Sequence, residues 1–143
     1  MVPITVDDLI EASSQFNLLE RRGSFYDMAR RLVQAGYDVE GSILFLATWN
    51  FASFRYAATD FDIDGFRDLL KSELADAFQA LVHCDIQHVD LEAQGPRIER
   101  MFDRLASMKE VLYTGATKVM HLKCPELFVI WDAYIRGEKA TKL

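Results

Sequence analysis

The sequence predicts an all-α fold in a single domain of about seven helices, on three observations. Apolar residues recur at three- and four-residue spacing in nearly every segment. Segments open on Thr, Ser or Asp and close on glycine or basic residues, the signals of helix starts and stops. Alternating β-branched runs, the signature of strands, are missing. At 143 residues, half of them apolar, the chain is long enough for one buried core.

The first helix is predicted over residues 5–21. Thr5 opens it, Val6, Leu9, Ile10, Phe16 and Leu19 form its apolar series, and Arg21-Arg22-Gly23 end it. Ser24 can cap a second helix over 25–35, with Phe25, Met28, Ala29, Leu32 and Val33 on one side and Gly36 at its end. Asp38 can cap a third helix over 39–57. Its middle, Ile43 to Trp49, is apolar nearly all round, which places it centrally. A fourth helix is predicted over 64–82, with Phe66, Leu69, Leu70, Leu74, Phe78 and Leu81 inward. Gly95-Pro96 opens a fifth over 96–107, burying Ile98, Met101, Phe102 and Leu105.

Several function classes are weakened at this level. The net charge of −6 argues against a general electrostatic grip on nucleic acid. The charge is uneven, however: residues 1–107 hold 10 Lys+Arg against 18 Asp+Glu, and residues 108–143 hold 6 against 4. Asp60, Asp62, Asp64 and Gly65 match the start of a calcium loop, but the position of its bidentate glutamate is Lys71, so an acidic helix cap is the better reading. His83, Cys84, His88, His121 and Cys124 lack the tight pairs of a zinc site, and neither metal nor cofactor is expected. No apolar run is long enough for a membrane span, no signal peptide is expected, and two cysteines suit a reduced, cytoplasmic protein.

The most patterned stretch is Tyr113–Arg136. Thr114-Gly115-Ala116-Thr117 read as a turn between two short helices, the second carrying Lys118. Backbone amides at such a turn can hold a phosphate oxygen with little side-chain charge, so these four residues are the candidate DNA-binding set. Pro125 breaks the second helix, Leu127 to Trp131 form an apolar connector, and Asp132 stands where the last helix needs its cap.

Leu112-Tyr113-Thr114-Gly115-Ala116-Thr117-Lys118-Val119-Met120 resembles the hairpin of the helix-hairpin-helix DNA glycosylase superfamily, roughly Leu-Pro-Gly-Val-Gly-Thr-Lys-Val-Ala in its 8-oxoguanine glycosylase branch. Trp131-Asp132-Ala133-Tyr134-Ile135-Arg136 is similar to that family's aspartate segment. Pro125-Glu126-Leu127-Phe128-Val129-Ile130-Trp131-Asp132 also resembles the tail of small uncharacterised prokaryotic helical proteins. Thr114 and Ala116 stand where the family has paired glycines, and Lys118 and Asp132 are 14 residues apart, several fewer than usual. The resemblance implies a helix-hairpin-helix element near the C-terminus, with damaged DNA as partner and Lys118 and Asp132 as catalytic residues. Lys118 would attack the sugar C1′ of a flipped nucleotide to form a Schiff base, Asp132 would stabilise the developing positive charge, and Trp49 or Phe54 would stack on the base. The other reading is a noncatalytic helical domain binding nucleic acid or a protein partner, with a homodimer formed through an exposed apolar seam.

Overall fold

A computed structural model describes residues 4–19 and 23–131. Its described elements are helical: α1 (Val6–Leu19), α2 (Gly23–Gln34), α3 (Asp38–Trp49), α4 (Phe51–Ala57), α5 (Ile63–Asp68), α6 (Ala75–Leu81), α7 (Leu91–Ala106) and α8 (Leu112–Lys123), with a 3₁₀ turn at Ala58–Asp60 and a π turn at Leu69–Glu73. Among these residues no helix is long and apolar enough to cross a membrane. α2 packs on α3, α3 on α8 and α8 on α7, so the central apolar helix of the sequence is covered from two sides. The main core joins Leu46, Phe54, Phe66, Leu70, Phe78, Leu81, Met101, Leu105, Val119 and Met120. A smaller one joins Ala29, Phe45 and Leu122, with Tyr26, Trp49 and Ile130 against it.

Several helix ends follow from local chemistry. Thr5 and Asp8 form a reciprocal cap: the Thr5 amide donates to Asp8 Oδ2 at 2.8 Å, and the Asp8 amide to Thr5 Oγ1 at 3.2 Å. The Thr5 hydrogen bonds hold the Asp8 carboxyl below its ordinary value. At the end of α2, Gly36 has φ +88. The Gly36 amide donates to the Val33 carbonyl and the Tyr37 amide to that of Leu32, the paired bonds of a Schellman stop. Asp62 caps α5 through the Gly65 amide at 2.8 Å, which is the acidic cap read from the sequence.

Five boundaries differ from expectation. The helix predicted over 39–57 breaks at Asn50, whose amide closes α3 on the Leu46 carbonyl and whose carbonyl accepts from Phe54 at the start of α4. Asparagine is a weak interior helix residue and a good cap. The helix predicted over 64–82 contains the π turn. Residues four apart advance about 40° round an α-helix, so Phe66, Leu70, Leu74 and Phe78 would spiral off the core; the wider π turn takes part of that drift back. α7 begins at Leu91 rather than Pro96, because Asp90 accepts the Glu92 and Ala93 amides, both at 3.1 Å. Ser24 lies within the first turn of α2 rather than ahead of it. Asp38 is the first residue of α3 and makes no cap bond; its carboxylate is drawn instead to two lysines.

The largest correction concerns the glycine turn. Thr114, Gly115, Ala116 and Thr117 lie inside the continuous helix α8. The chain reverses earlier, between Ala106 and Leu112, where Leu112 takes φ +55. Helix, reversal and helix are therefore present, but the reversal falls ahead of the stretch with the hairpin pattern. Gly115 serves packing: a Cβ there would sit 3.0 Å from Leu46 Cδ2, 3.1 Å from Val111 Cγ1 and 3.3 Å from Asn50 Nδ2. It allows α8 to lie close against the end of α3.

Candidate functional site

α8 carries most of the predicted site residues, and its helical phase decides where they go. Gly115 and Ala116 are buried, and the Gly115 amide donates to the Val111 carbonyl at 3.1 Å. It is consumed by the helix and is not offered to a phosphate. The Thr117 hydroxyl donates to the Thr114 carbonyl at 2.9 Å and accepts the Trp131 amide at 3.2 Å. Thr117 thus pins the segment that follows α8, while Thr114 is half-buried on the same helix.

Lys118 points inward and is 6% exposed. Its ammonium donates to the Trp49 carbonyl and, at 3.4 Å, to Asn50 Oδ1. The last carbonyls of a helix have no intrahelical partner and attract cations. Lys118 therefore ties α8 to the α3–α4 junction. Asp132, its predicted catalytic partner, lies outside the described residues. The aromatics proposed to stack on a base are used elsewhere. Phe54 is buried against Phe61 at 5.7 Å between ring centroids, and Trp49 packs between Phe45 and Phe16. Phe51 and Tyr56 are exposed.

Three groupings went unread in the sequence. The first is an ion cluster at a pocket of about 610 Å³. The Asp38 carboxylate takes Lys71 and Lys123 on the same oxygen, both at 2.9 Å. Lys71 also donates to the Gly36 carbonyl at 2.7 Å, and Lys123 lies over the Phe78 ring at 5.3 Å. One carboxylate thereby joins the start of α3, the π turn and the end of α8. Lys71 and Lys123 lie 33 and 85 residues from Asp38, so no local signal joined them.

The second is a half-buried chain of hydrogen bonds. The Phe128 carbonyl can only accept, so His121 Nδ1 carries the proton and donates to it at 2.7 Å. Nε2 then accepts the Tyr26 hydroxyl at 2.9 Å. Burial lowers the His121 pKa below its ordinary 6.5, opposed by the Phe128 hydrogen bond, and burial raises that of Tyr26. A histidine held neutral in the fold stabilises it fully above the unfolded value, and this contribution is lost as pH falls through the lower folded value. The urea midpoint is therefore expected to drop when the pH is lowered from about 7.5 to about 5.5. His121→Gln should flatten that difference; equal slopes in both proteins would rule His121 out as its source. Cys124, beside this helix end, is buried and its thiol is pushed up to about 11, which makes it inert.

The third is an apolar groove of about 690 Å³ between α7 and residues 127–131. Ile98 and Phe102 form one wall, Leu127 to Val129 the other, and Met120 and Thr117 the floor. Among the described residues that line it, Glu99 and Thr117 carry the polar side chains. Its rim stays open to water: Leu91 is 64% exposed, Val129 56% and Trp131 47%. The signal for this groove was present in the sequence as an apolar run after Pro125, read there as an apolar connector. Among the described residues no group of three or more His, Cys, Asp or Glu is arranged to hold a metal ion.

The chain matches no protein-family model, no curated protein and no solved structure.

Proposed function

We propose that this chain is a noncatalytic helical binding domain that seats an amphipathic helix of a protein partner in the groove between α7 and residues 127–131. The observation that carries this reading is the groove itself, apolar along both walls and rimmed by exposed Leu91, Val129 and Trp131. An apolar trough of this kind takes a helix through side chains spaced i, i+3, i+4 and i+7. Glu99 at the lining favours a partner with basic residues beside its apolar stripe. The use of Lys118 and Thr117 as internal ties supports the same reading, because it accounts for the patterned stretch without a reaction.

Trp131 supplies the test. In a Trp49→Phe background it is the sole tryptophan. A leucine-rich amphipathic peptide with lysines on its polar face should shift its emission to the blue and saturate. Leu91→Asp and Val129→Asp, both at exposed positions, should weaken that binding at least tenfold. No shift by roughly 0.5 mM peptide, or a shift indifferent to both substitutions, would overturn the proposal.

The glycosylase resemblance supports a second reading, favoured by one observation. Lys118 is buried, and a desolvated amine is what a Schiff-base nucleophile requires. On this reading the amine leaves the Trp49 carbonyl and attacks C1′ of a damaged nucleotide. The C1′–base bond breaks, the base departs with its electron pair and takes a proton from the attacking nitrogen, the C1′–O4′ bond then opens to leave the Schiff base, and Asp132 stabilises the charge on the sugar.

A further inference from the structure

α1 is a 14-residue helix with no buried residue. Phe16 packs against Trp49 of the body, ring centroids 6.3 Å apart. Val6, Leu9, Ile10, Phe16 and Leu19 lie along one stripe and are 51–80% exposed. Asp7, Glu11, Ser14 and Gln15 fall on the opposite side of the helix. An isolated helix of this length is marginal in water, and an amphipathic one is stabilised by covering its apolar face.

We infer that α1 pairs antiparallel with α1 of a second copy of this chain. The spacing of four of the five is self-complementary, while Ile10 lies at the edge of the stripe, level with Gln15 of the second copy. A twofold axis between Ala12 and Ser13 sets Val6 opposite Leu19 of the second copy and Leu9 opposite its Phe16. The two small residues meet at the crossing, where the helix axes approach most closely. Charge selects the same direction. α1 carries Asp7, Asp8 and Glu11 and no Lys or Arg. Parallel pairing would stack these acids, whereas antiparallel pairing separates the two Asp7–Asp8 pairs by roughly 15 Å, beyond the screening length at physiological salt. The absence of basic residues also makes α1 a poor fit to an anionic membrane surface. Area is sufficient: about 100 Å² of apolar surface on each of the five side chains amounts to on the order of 1,000 Å² over two copies, the size at which specific interfaces begin. An interface at that threshold forms reversibly, with half-dissociation at roughly 1–10 µM.

Sedimentation equilibrium of the whole chain tests this between about 1 and 100 µM. The mass should rise from that of one 16.4 kDa chain to that of two. Leu9→Asp, at an exposed position, should remain at one chain throughout. In a Cys84→Ser background, Ser13→Cys next to the twofold axis should form an intermolecular disulfide on mild oxidation, and Leu18→Cys on the far side should not. A wild-type monomer at 100 µM, or a dimer indifferent to Leu9→Asp, would overturn the inference. So would a dimer that Leu9→Asp dissociates but Ser13→Cys fails to cross-link, since α1 would then dock elsewhere on the second copy. None of these outcomes depends on whether the groove beside α7 binds a helix.

Discussion

Gly41→Ala is expected to destabilise the protein by about 2 kcal/mol, although alanine is the better helix former. The added Cβ would lie 2.8 Å from the Ala29 carbonyl oxygen, 2.9 Å from Val33 Cγ2 and 3.3 Å from Leu32 Cβ. Two of these atoms belong to the backbone or its first side-chain carbon on α2 and cannot rotate away, so α2 must move off α3. Overpacking of this kind costs about 1–3 kcal/mol or more, against a propensity gain near 1 kcal/mol. Gly115→Ala provides the comparison. Its Cβ meets the ends of the Leu46, Val111 and Asn50 side chains at 3.0–3.3 Å, and these can yield. Its net effect is expected to stay within about 1 kcal/mol of neutral. Urea denaturation of both variants measures the difference. A Gly41→Ala protein as stable as wild type would show that α2 and α3 are not held at this spacing.

Lys118→Met is expected to cost about 3 kcal/mol. Methionine fills similar space, but the Trp49 carbonyl and Asn50 Oδ1 lose the ammonium that donates to them. Leaving a buried acceptor unsatisfied costs about 1–3 kcal/mol, more where the lost donor was charged. Asn50 Nδ2 already lacks a hydrogen-bond partner, so the α3–α4 junction has little polar reserve. Equal urea midpoints for Lys118→Met and wild type would remove the structural role given to this lysine.

These two positions show what could and could not be read from the chain. Helix content was legible because caps and apolar spacing are local: Thr5 with Asp8, Gly36 with Tyr37, and Asp62 with Gly65 all act within a few residues. The break at Asn50 had a local signal too, but the apolar run around it reads as one helix. The role of Gly115 was misread because a glycine packed against α3 and a glycine demanded by a turn look alike in sequence. Only the position of Leu46 distinguishes them. Lys118 was read as a catalytic lysine, and two of the groups it donates to lie 68 and 69 residues away. The Asp38–Lys71–Lys123 cluster and the Tyr26–His121 pair are long-range in the same sense, and no spacing rule reaches them. The groove depends on how residues 127–131 lie against α7, through ties such as Thr117 to Trp131 and Ile86 to Glu126.

The decisive measurement on whether the patterned stretch is structural or catalytic is borohydride trapping. Wild type and Lys118→Ala are incubated with duplex DNA carrying 8-oxoguanine or an abasic site, then reduced. A noncatalytic domain whose Lys118 ammonium is committed to the Trp49 carbonyl yields no covalent adduct with either duplex. An adduct formed by wild type and absent from Lys118→Ala would contradict that assignment and establish a Schiff-base lysine on α8.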